Sequence, residues 1–328
     1  MNLLDLVLSR EKRMAAPLVT YPALKLLGAN ANQALRDPEI HSEAAKLTLT
    51  EFGLDMMLPL MDLTVEAEAM GARVRMSPTE APTVVEHLSM EEALAIANLP
   101  DPERDARFPN FLRAAELMRS KCPKEIPLGF YLLGPFTLAG QLVGVTTLLK
   151  AVRRDPESVS QLVEICTEVL ARYADGLAQR GVDSLVMAEP TAGLVSREDY
   201  VRFSGNPTAE LTSRVPSQWI LHICGRSGHL VDLMAQTGVV GVSLDHNVDL
   251  LEAAEKVSDE ILLVGNYSPV KVAMESADVI RQEVRDLLER LSSLPNLIFC
   301  TGCDVPMRAP LENVKILAEV AHEFSQPS

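Results

Sequence analysis

The feature that most constrains the fold is an alternation, from about residue 125 onward, of short apolar runs and longer stretches with helical spacing. The runs are "IPLGFYLLGP" (126–135), "VDSLVMAEP" (182–190), "QWILHICG" (218–225), "VVGVSLDH" (239–246), "ILLVGNYSP" (261–269) and "NLIFCTGCDVP" (296–306). Apolar residues recur at helical spacing in 156–180, 250–257, 279–294 and 311–324. Strands that are buried on both faces and alternate with helices are typical of a parallel sheet, so the pattern predicts an α/β protein.

Two further apolar runs bring the predicted strands to eight, which is enough to close a barrel. They are "APLVTYP" (16–22) and "LDMMLPLMD" (54–62), with helices expected at 41–52 and 111–120. Such a barrel needs about 250 residues or more, and no linker-like stretch divides the chain, since 98–110 reads as a loop. We therefore expect residues 1–328 to form a single (βα)8 TIM barrel domain. An open doubly wound sheet is the alternative, although no G-x-G-x-x-G follows an early strand.

Composition and charge exclude several classes of partner. No uncharged apolar run is long enough to span a membrane. The formal net charge of −15 weighs against binding to a nucleic-acid backbone. The start, "MNLLDLVLSREKRMAAP", does not read as a secretory signal, and five cysteines, an odd number, argue against a disulfide framework. We therefore expect a cytoplasmic protein with no nucleic-acid or membrane partner.

Polar side chains close each of the later predicted strands. They are Glu189, His222 and Cys224, Asp245 and His246, Asn266, and Cys303 and Asp304. In a barrel all these strand ends lie on one face, where the active sites of such folds are built. The sequence therefore predicts a functional site that these residues share.

A histidine and two cysteines in this set have the chemistry of a zinc site. His222 and Cys224, two apart on a strand, point the same way. Cys303 ends the last strand, which returns to the neighbourhood of the earlier ones in a closed barrel. Three protein ligands with one open position are typical of catalytic zinc. Cys300 is expected in the barrel wall, and Cys122 and Cys166 in the core, because isolated cysteines are usually buried.

The remaining histidines read as ordinary side chains. His41, His87 and His322 are expected to be solvated, His229 to lie at the surface or beside the site, and His246 could be either.

Six segments resemble the uroporphyrinogen decarboxylase superfamily, and more narrowly its zinc-dependent methylcobamide:coenzyme M methyltransferase branch. They are "MDLTVEAEAMGARV" (61–74), "LLGPFTLAGQLVG" (132–144), "AEPTAG" (188–193), "LHICGR" (221–226), "VGNYSP" (264–269) and "TGCDVPMRAPLEN" (301–313). The resemblance runs in order over nearly the whole chain, while 13–30 is a looser match. It implies a single (βα)8 barrel with one zinc on His222, Cys224 and Cys303.

The resemblance also implies an activity, the transfer of a methyl group from a methylated corrinoid to a thiol, with coenzyme M as the expected acceptor. The chain has no D-x-H-x-x-G element followed by a flavodoxin-like segment, so we expect the methylcobalamin to arrive on a separate corrinoid protein. Two thiolates and an imidazole would leave little net positive charge on the zinc and keep the substrate sulfur nucleophilic. Tetrahydrofolate as acceptor, a porphyrinogen-type decarboxylase, and a non-catalytic barrel with structural zinc are the alternatives.

Five more residues are assigned to the neighbourhood of this site. Asp245 and Glu189 are candidates for the fourth zinc position, and the alternative for each is a hydrogen bond to a ligating histidine or to loop amides. Arg226 and Arg308 are candidate partners of a substrate sulfonate, or else surface charges. Asn266 is expected to brace the mouth of the barrel.

Overall fold

Nine strands occur in the part of the chain that the computed structural model describes, residues 2–327. Met1 and Ser328, the two ends of the predicted domain, lie outside the described residues. The strands are β1 (Met14–Ala15), β2 (Arg73–Arg75), β3 (Thr83–Glu86), β4 (Gly129–Leu133), β5 (Ser184–Ala188), β6 (Gln218–Ile223), β7 (Gly241–Leu244), β8 (Leu262–Tyr267) and β9 (Leu297–Thr301).

Seven of these strands form one parallel sheet in the order β1-β9-β8-β7-β6-β5-β4, while β2 and β3 form a separate antiparallel pair. Each of the six apolar runs predicted after residue 125 contains one strand of this sheet. Every residue of β4, β7, β8 and β9 is buried, as expected for strands that are covered on both faces. The predicted α/β class with a parallel sheet is therefore confirmed.

The strand register brings the polar strand ends side by side. Ala188 at the end of β5 pairs with His222 of β6, and His222 pairs with Ser243 of β7. Asn266 of β8 pairs with Cys300 of β9. Because all seven strands are parallel, the residues that follow them emerge at the same end of the sheet.

The two N-terminal strand predictions are wrong in extent. The strand near 16–22 lies earlier, at Met14–Ala15, and a helix begins at Thr20, with Pro22 in its first turn where proline is tolerated. Segment 54–62 forms a single parallel bridge, between Met57 and Leu128, instead of a strand. Pro59 has no N–H to give to a ladder, which interrupts the pairing.

Segment 54–62 nevertheless connects the two edges of the sheet. The Asp55 amide donates to the Ala15 carbonyl of β1 at 2.9 Å. On the other side, the Met57 amide donates to Pro127 at 3.0 Å, and the Gly129 amide of β4 donates to Met57 at 2.9 Å. The segment therefore lies between β1 and β4, the outermost strands of the sheet.

Helices follow the strands and cover the outside of the sheet. They are α1 (Leu3–Ser9), α2 (Thr20–Leu27), α3 (Ala31–Ala34), α4 (Pro38–Phe52), α5 (Val65–Ala69), α6 (Met90–Leu94), α7 (Phe108–Lys121), α8 (Pro135–Val143), α9 (Val145–Arg154), α10 (Pro156–Gln179), α11 (Arg197–Tyr200), α12 (Asn206–Arg214), α13 (Val231–Ala235), α14 (Leu250–Ala254), α15 (Pro269–Met274), α16 (Ala277–Arg290) and α17 (Leu311–Ala321). Short 3-10 turns occupy Pro190–Leu194 and Ser227–His229, and a π turn occupies Val201–Gly205. Each predicted helix is present, with ends that differ by a few residues.

The N-terminal helix lies at the opposite end of the sheet from the polar strand ends. Leu3 and Val7 of α1 belong to the same buried cluster as Met14 and Ile220 from inside the sheet. The Leu3 amide donates to the side chain of Gln218, the first residue of β6. The C-terminal ends of the strands are thus left for the site.

Among residues 2–327, no single helix is both long and apolar enough to cross a membrane. The pair α8 and α9, bent by 108°, meets that test only when taken together, by length and composition.

Candidate metal centre at the strand ends

His222, Cys224 and Cys303 meet at the C-terminal ends of the strands. His222 lies on β6, Cys224 follows that strand, and Cys303 follows β9. The His222 Nε2 atom lies 2.9 Å from the Cys224 Sγ, and the two Sγ atoms are 3.8 Å apart. One ligand atom from each residue lies within 4.8 Å of the others. Among the described residues this is the one group of three or more His, Cys, Asp or Glu side chains that could hold a metal ion.

The imidazole of His222 is held in place by its second nitrogen. Its Nδ1 lies 3.0 Å from the hydroxyl of Ser243 on the neighbouring strand β7, and the ring is buried. A hydrogen bond at one ring nitrogen fixes the orientation and the tautomer of a metal-binding histidine. The Nε2 atom is therefore directed at the two cysteines.

The two cysteines are coupled through their sulfur atoms. The hydrogen bond from Cys224 and the nearby His222 hold the pKa of the Cys303 thiol well below its usual range. The same hydrogen bond, together with burial, raises the pKa of Cys224 well above its usual range. The pair thus holds one negative charge readily, and a second one is disfavoured unless a cation lies between the two sulfur atoms.

The separation of the two sulfur atoms fits zinc, whereas the 2.9 Å between His222 Nε2 and Cys224 Sγ is a hydrogen-bond distance that a bound zinc would widen to about 3.6 Å. Sulfur ligands about 2.3 Å from a tetrahedral zinc are about 3.8 Å apart, and the separation observed between the Cys224 and Cys303 Sγ atoms is 3.8 Å. Imidazole nitrogen and thiolate sulfur are the donors that zinc prefers. The donor set is therefore suitable for one zinc with a fourth position left for another ligand.

Asp245 lies beside this group, and its carboxylate binds loop amides. Its Oδ2 accepts the amide of Gly225 at 2.9 Å, directly after Cys224. Its Oδ1 accepts both the backbone and the side-chain amide of Asn247, and His246 Nδ1 lies 2.5 Å from the same oxygen. The negative charge of Asp245 is one of the causes that raise the pKa of the Cys224 thiol, so the two groups are near each other.

Glu189 is fully buried and is directed at the start of α8. Its carboxylate accepts the amides of Phe136 and Thr137 at 2.9 and 2.7 Å and the hydroxyl of Ser204 at 3.0 Å. Burial raises the pKa of this carboxyl. The Glu189 amide donates to the His222 carbonyl, so the residue touches the centre through its backbone, while its side chain binds loop amides.

The three predicted binding residues differ in burial: one is buried and two are exposed. Asn266 is buried, and its side chain donates to the carbonyls of Asp245 and Val248 at 3.0 and 2.6 Å, which braces the loop after β7. Arg308 is exposed and lines a cavity of about 510 Å³ that also reaches Tyr21 and Asp304. Arg226 is exposed in the loop after β6.

The other cysteines are buried, and two of the other histidines are exposed. Cys122, Cys166 and Cys300 are buried, as predicted, and the Cys300 thiol donates to the Ala16 carbonyl at 3.0 Å. His87 and His229 are exposed, as predicted.

The prediction for His41 is wrong. This side chain is buried against Phe111 and Phe130 and accepts the amide of Leu60 at 3.0 Å. His322 is half-buried and lies 2.7 Å from the carboxylate of Asp55.

A cluster of acidic side chains around the buried Arg107 was not assigned a role from the sequence. Asp62 and Glu68 both bind the buried Arg107, which also donates to Thr64 at 2.9 Å. Glu66 is buried nearby, and burial raises its pKa to about 7. The repeated acidic residues in "MDLTVEAEA" were the available signal, but such a run reads equally well as a solvated helix face.

Comparison with known proteins agrees with this architecture. The model of the family described as "Uroporphyrinogen decarboxylase (URO-D)" matches residues 13–324. The chain is 28% identical over 303 residues to the methylcobamide:CoM methyltransferase MtaA of Methanosarcina barkeri, covering 91% of this chain and 88% of the relative. It is 24% identical to a uroporphyrinogen decarboxylase of Actinobacillus succinogenes, covering 94% and 90% of the two chains.

A solved structure is also similar over nearly the whole chain. It is described as a methyltransferase from Methanosarcina mazei and matches with a TM-score of 0.90 at 26% identity, covering 98% of this chain and 97% of the other.

Proposed function

The chain belongs to the uroporphyrinogen decarboxylase family, and we propose that within it the protein is a zinc-dependent methyltransferase. It would move a methyl group from a methylated corrinoid to a thiol, with coenzyme M as the acceptor. The observation that carries this proposal is the meeting of His222, Cys224 and Cys303 at the mouth of the sheet, with two sulfur atoms 3.8 Å apart. The name of the Methanosarcina barkeri relative supports the same activity.

One zinc would be held by the imidazole of His222 and the thiolates of Cys224 and Cys303. When bound, it would supply the Lewis acidity that keeps an acceptor thiol deprotonated near neutral pH. With two anionic ligands the site carries little net positive charge, which favours alkylation of a sulfur over polarisation of a carbonyl. That donor set is what distinguishes the proposal from a decarboxylase.

The chain's own residues would orient the reaction. The acceptor sulfur forms a bond to the methyl carbon, the cobalt–carbon bond breaks with its electron pair left on cobalt, and the thiol proton goes to solvent. Ser243 keeps the His222 ring in a fixed orientation during this step. Beneath the centre, the interior of the sheet is apolar and its cavity of about 30 Å³ has room for about one water molecule. Few water molecules can therefore reach the reacting atoms from below.

The other predicted residues would act around this centre. We assign Asp245 as a carboxylate beside the centre that binds the Gly225 amide, and Glu189 as the group that fixes α8 and the backbone of His222. Arg308, at the wall of the large cavity, and Arg226 at the rim are the cations available for a sulfonate. Asn266 would hold the loop after β7 rather than touch the substrate.

The proposal extends to the domain architecture, the source of the methyl group and the cell compartment. We propose that residues 1–328 are one domain in which segment 54–62 closes the parallel sheet into a (βα)8 barrel, because that segment is hydrogen-bonded to both β1 and β4. The methylated corrinoid would be presented by a separate corrinoid protein at the mouth of the barrel. The absence of any disulfide among the cysteines supports a cytoplasmic setting.

Metal analysis of the purified protein tests the proposal. We expect about one zinc per chain, and a large loss of zinc in the variants Cys224→Ser and Cys303→Ser. Cys300→Ser is the matched control, because this cysteine lies on β9, three residues before Cys303, and its thiol donates to the Ala16 carbonyl instead. Retention of zinc by Cys303→Ser together with its loss from Cys300→Ser would overturn the ligand assignment.

The loss of methylcobalamin in the presence of each acceptor tests the reaction itself. Coenzyme M, a simple uncharged thiol and tetrahydrofolate are compared at equal concentration, with zinc-loaded and metal-free protein. We expect demethylation with coenzyme M only when zinc is present. Demethylation with tetrahydrofolate alone would overturn the thiol acceptor and leave the fold and the metal centre standing.

A further inference from the structure

We infer that the loop after β7 is a bracket that fixes the separation of Cys224 and Cys303, with Asp245 as a positioning residue that acts through backbone contacts. The bracket is defined here as residues 245–248. The inference rests on the proposed function, since a fixed sulfur-to-sulfur separation matters only if the two cysteines hold a metal. It gives Asp245 a task different from that of a zinc ligand.

The carboxylate of Asp245 holds the loop that carries Cys224. Its Oδ2 accepts the amide of Gly225, the residue directly after Cys224, at 2.9 Å. Gly225 has a φ of +77°, a conformation that glycine adopts without strain, and because glycine can also adopt many others, a hydrogen bond is needed to select this turn. One hydrogen bond at this point fixes the direction in which Cys224 leaves the strand.

The loop that carries Cys303 packs directly on the backbone of the same bracket. A Cβ atom added to Gly302 would overlap the amide nitrogen of His246 and would lie 3.1 Å from the carbonyl carbon of Asp245. Real Cβ atoms rarely approach backbone that closely, so only glycine fits between Cys303 and the bracket. The two cysteine loops therefore both contact the same short segment.

The bracket itself is held by hydrogen bonds from β8 and by hydrogen bonds within its own residues. The side chain of Asn266, which is buried on β8, donates to the carbonyls of Asp245 and Val248 at 3.0 and 2.6 Å. The second carboxylate oxygen of Asp245 accepts the side chain of Asn247 at 3.0 Å. With both oxygens in use and the ends of the segment tied to Asn266, the bracket has little freedom to move.

These contacts make a geometric prediction about metal binding. If the bracket sets the 3.8 Å separation of the two sulfur atoms, loosening it leaves every ligand present but less well placed. Partners that orient metal ligands typically contribute about 10–100-fold to metal affinity. The loss should be accompanied by a changed ligand field, because the angle between the two sulfur ligands would no longer be fixed.

The test measures zinc affinity by competition with a chelator and the visible spectrum of the cobalt(II)-substituted protein. We expect Asp245→Ala and Gly302→Ala to bind zinc about 10–100-fold more weakly and to change the cobalt(II) bands. Asp245→Asn keeps an oxygen that can accept the Gly225 amide but loses the acceptor of the Asn247 side chain, so its loss of zinc affinity should be clearly smaller than that of Asp245→Ala. The far-ultraviolet spectrum checks that each variant is folded.

Two matched controls separate positioning from general loss of stability. Asp249→Ala removes a neighbouring carboxylate that caps α14 through Leu251, and it should lower the melting temperature while leaving zinc affinity unchanged. Gly228→Ala adds a methyl group that makes only an ordinary contact with Val248, at 3.5 Å, so it should change neither quantity.

Three outcomes would overturn the bracket. Wild-type zinc affinity and cobalt(II) bands in Asp245→Ala would exclude it, and so would wild-type behaviour in Gly302→Ala, which can be read even if Asp245→Ala fails to fold. An equal loss in Asp245→Ala and Asp245→Asn would mean that the carboxylate acts by its charge or as a ligand. Failure of the proposed function would give a different result, because the wild-type protein itself would then bind no zinc.

Discussion

The buried carboxyl group of Glu66 makes a quantitative prediction about stability and pH. Only 1% of this residue is exposed. Its Oε1 accepts the Leu133 amide at 2.9 Å, while no hydrogen-bond partner of Oε2 is found among the described residues. Burial raises the pKa from 4.5 to about 7. The folded protein therefore binds the proton more tightly than the unfolded chain does.

The sign and the size of the pH effect on stability follow from the difference between the pKa values of Glu66 in the folded and the unfolded protein. The contribution of Glu66 to stability is fully present below pH 4.5 and is lost as the pH rises through about 7, since ionisation is then easier in the unfolded chain. At about 1.4 kcal/mol per pH unit, the full difference is about 3 kcal/mol. Between about pH 5 and pH 8 the free energy of unfolding of the wild type should fall by about 2–3 kcal/mol from this group alone.

The variant Glu66→Gln isolates the effect, because glutamine has the shape of the protonated acid and can still accept the Leu133 amide. Urea unfolding of the wild type and the variant is measured side by side at several values of pH. We expect the variant to gain about 2–3 kcal/mol on the wild type between pH 5 and pH 8. A difference between the two proteins that stays constant over this range would refute the reasoning.

Two further variants test other buried groups. His41→Phe should cost about 1–3 kcal/mol at neutral pH, because the buried amide of Leu60 loses its acceptor. Because burial lowers the pKa of His41 to about 3, the wild type should lose about 2 kcal/mol between pH 7 and pH 5 that the variant keeps, measured by urea unfolding. Arg107→Met should cost about 3–5 kcal/mol, because it leaves the carboxylate of Asp62 buried without its partner. Thermal unfolding measures this loss, and adding Asp62→Asn should recover part of it; no recovery would contradict the assignment.

The later part of the fold could be predicted because its strands are buried on both faces and are separated by long amphipathic helices. The N-terminal part could not. Its strand β1 has two residues, and β2 and β3 have three and four, which is too short for a readable alternation. Segment 54–62 is apolar like a strand, but Pro59 limits it to one bridge, between Met57 and Leu128.

The meeting of His222, Cys224 and Cys303 could be anticipated because strand ends in a parallel sheet share one edge. The direction of a single carboxylate could not. Glu189 ends a strand like Asp245, but its side chain is directed at the amides of α8, and nothing in the local sequence distinguishes the two. His41 was misjudged because the charged residues Glu39 and Glu43 stand close to it in the sequence, whereas its environment is formed by Phe111 and Phe130 from other elements.

The central claim is that the three-residue centre binds a metal that activates a thiol, and proton release on thiol binding tests it most directly. A free thiol has a pKa of about 8.5, so it is mostly protonated at pH 7. Titration of zinc-loaded protein with coenzyme M in weak buffer should release close to one proton per thiol bound, and metal-free protein or a His222→Ala variant without zinc should release none. Thiol binding without proton release, or equal release from the metal-free protein, would contradict the account.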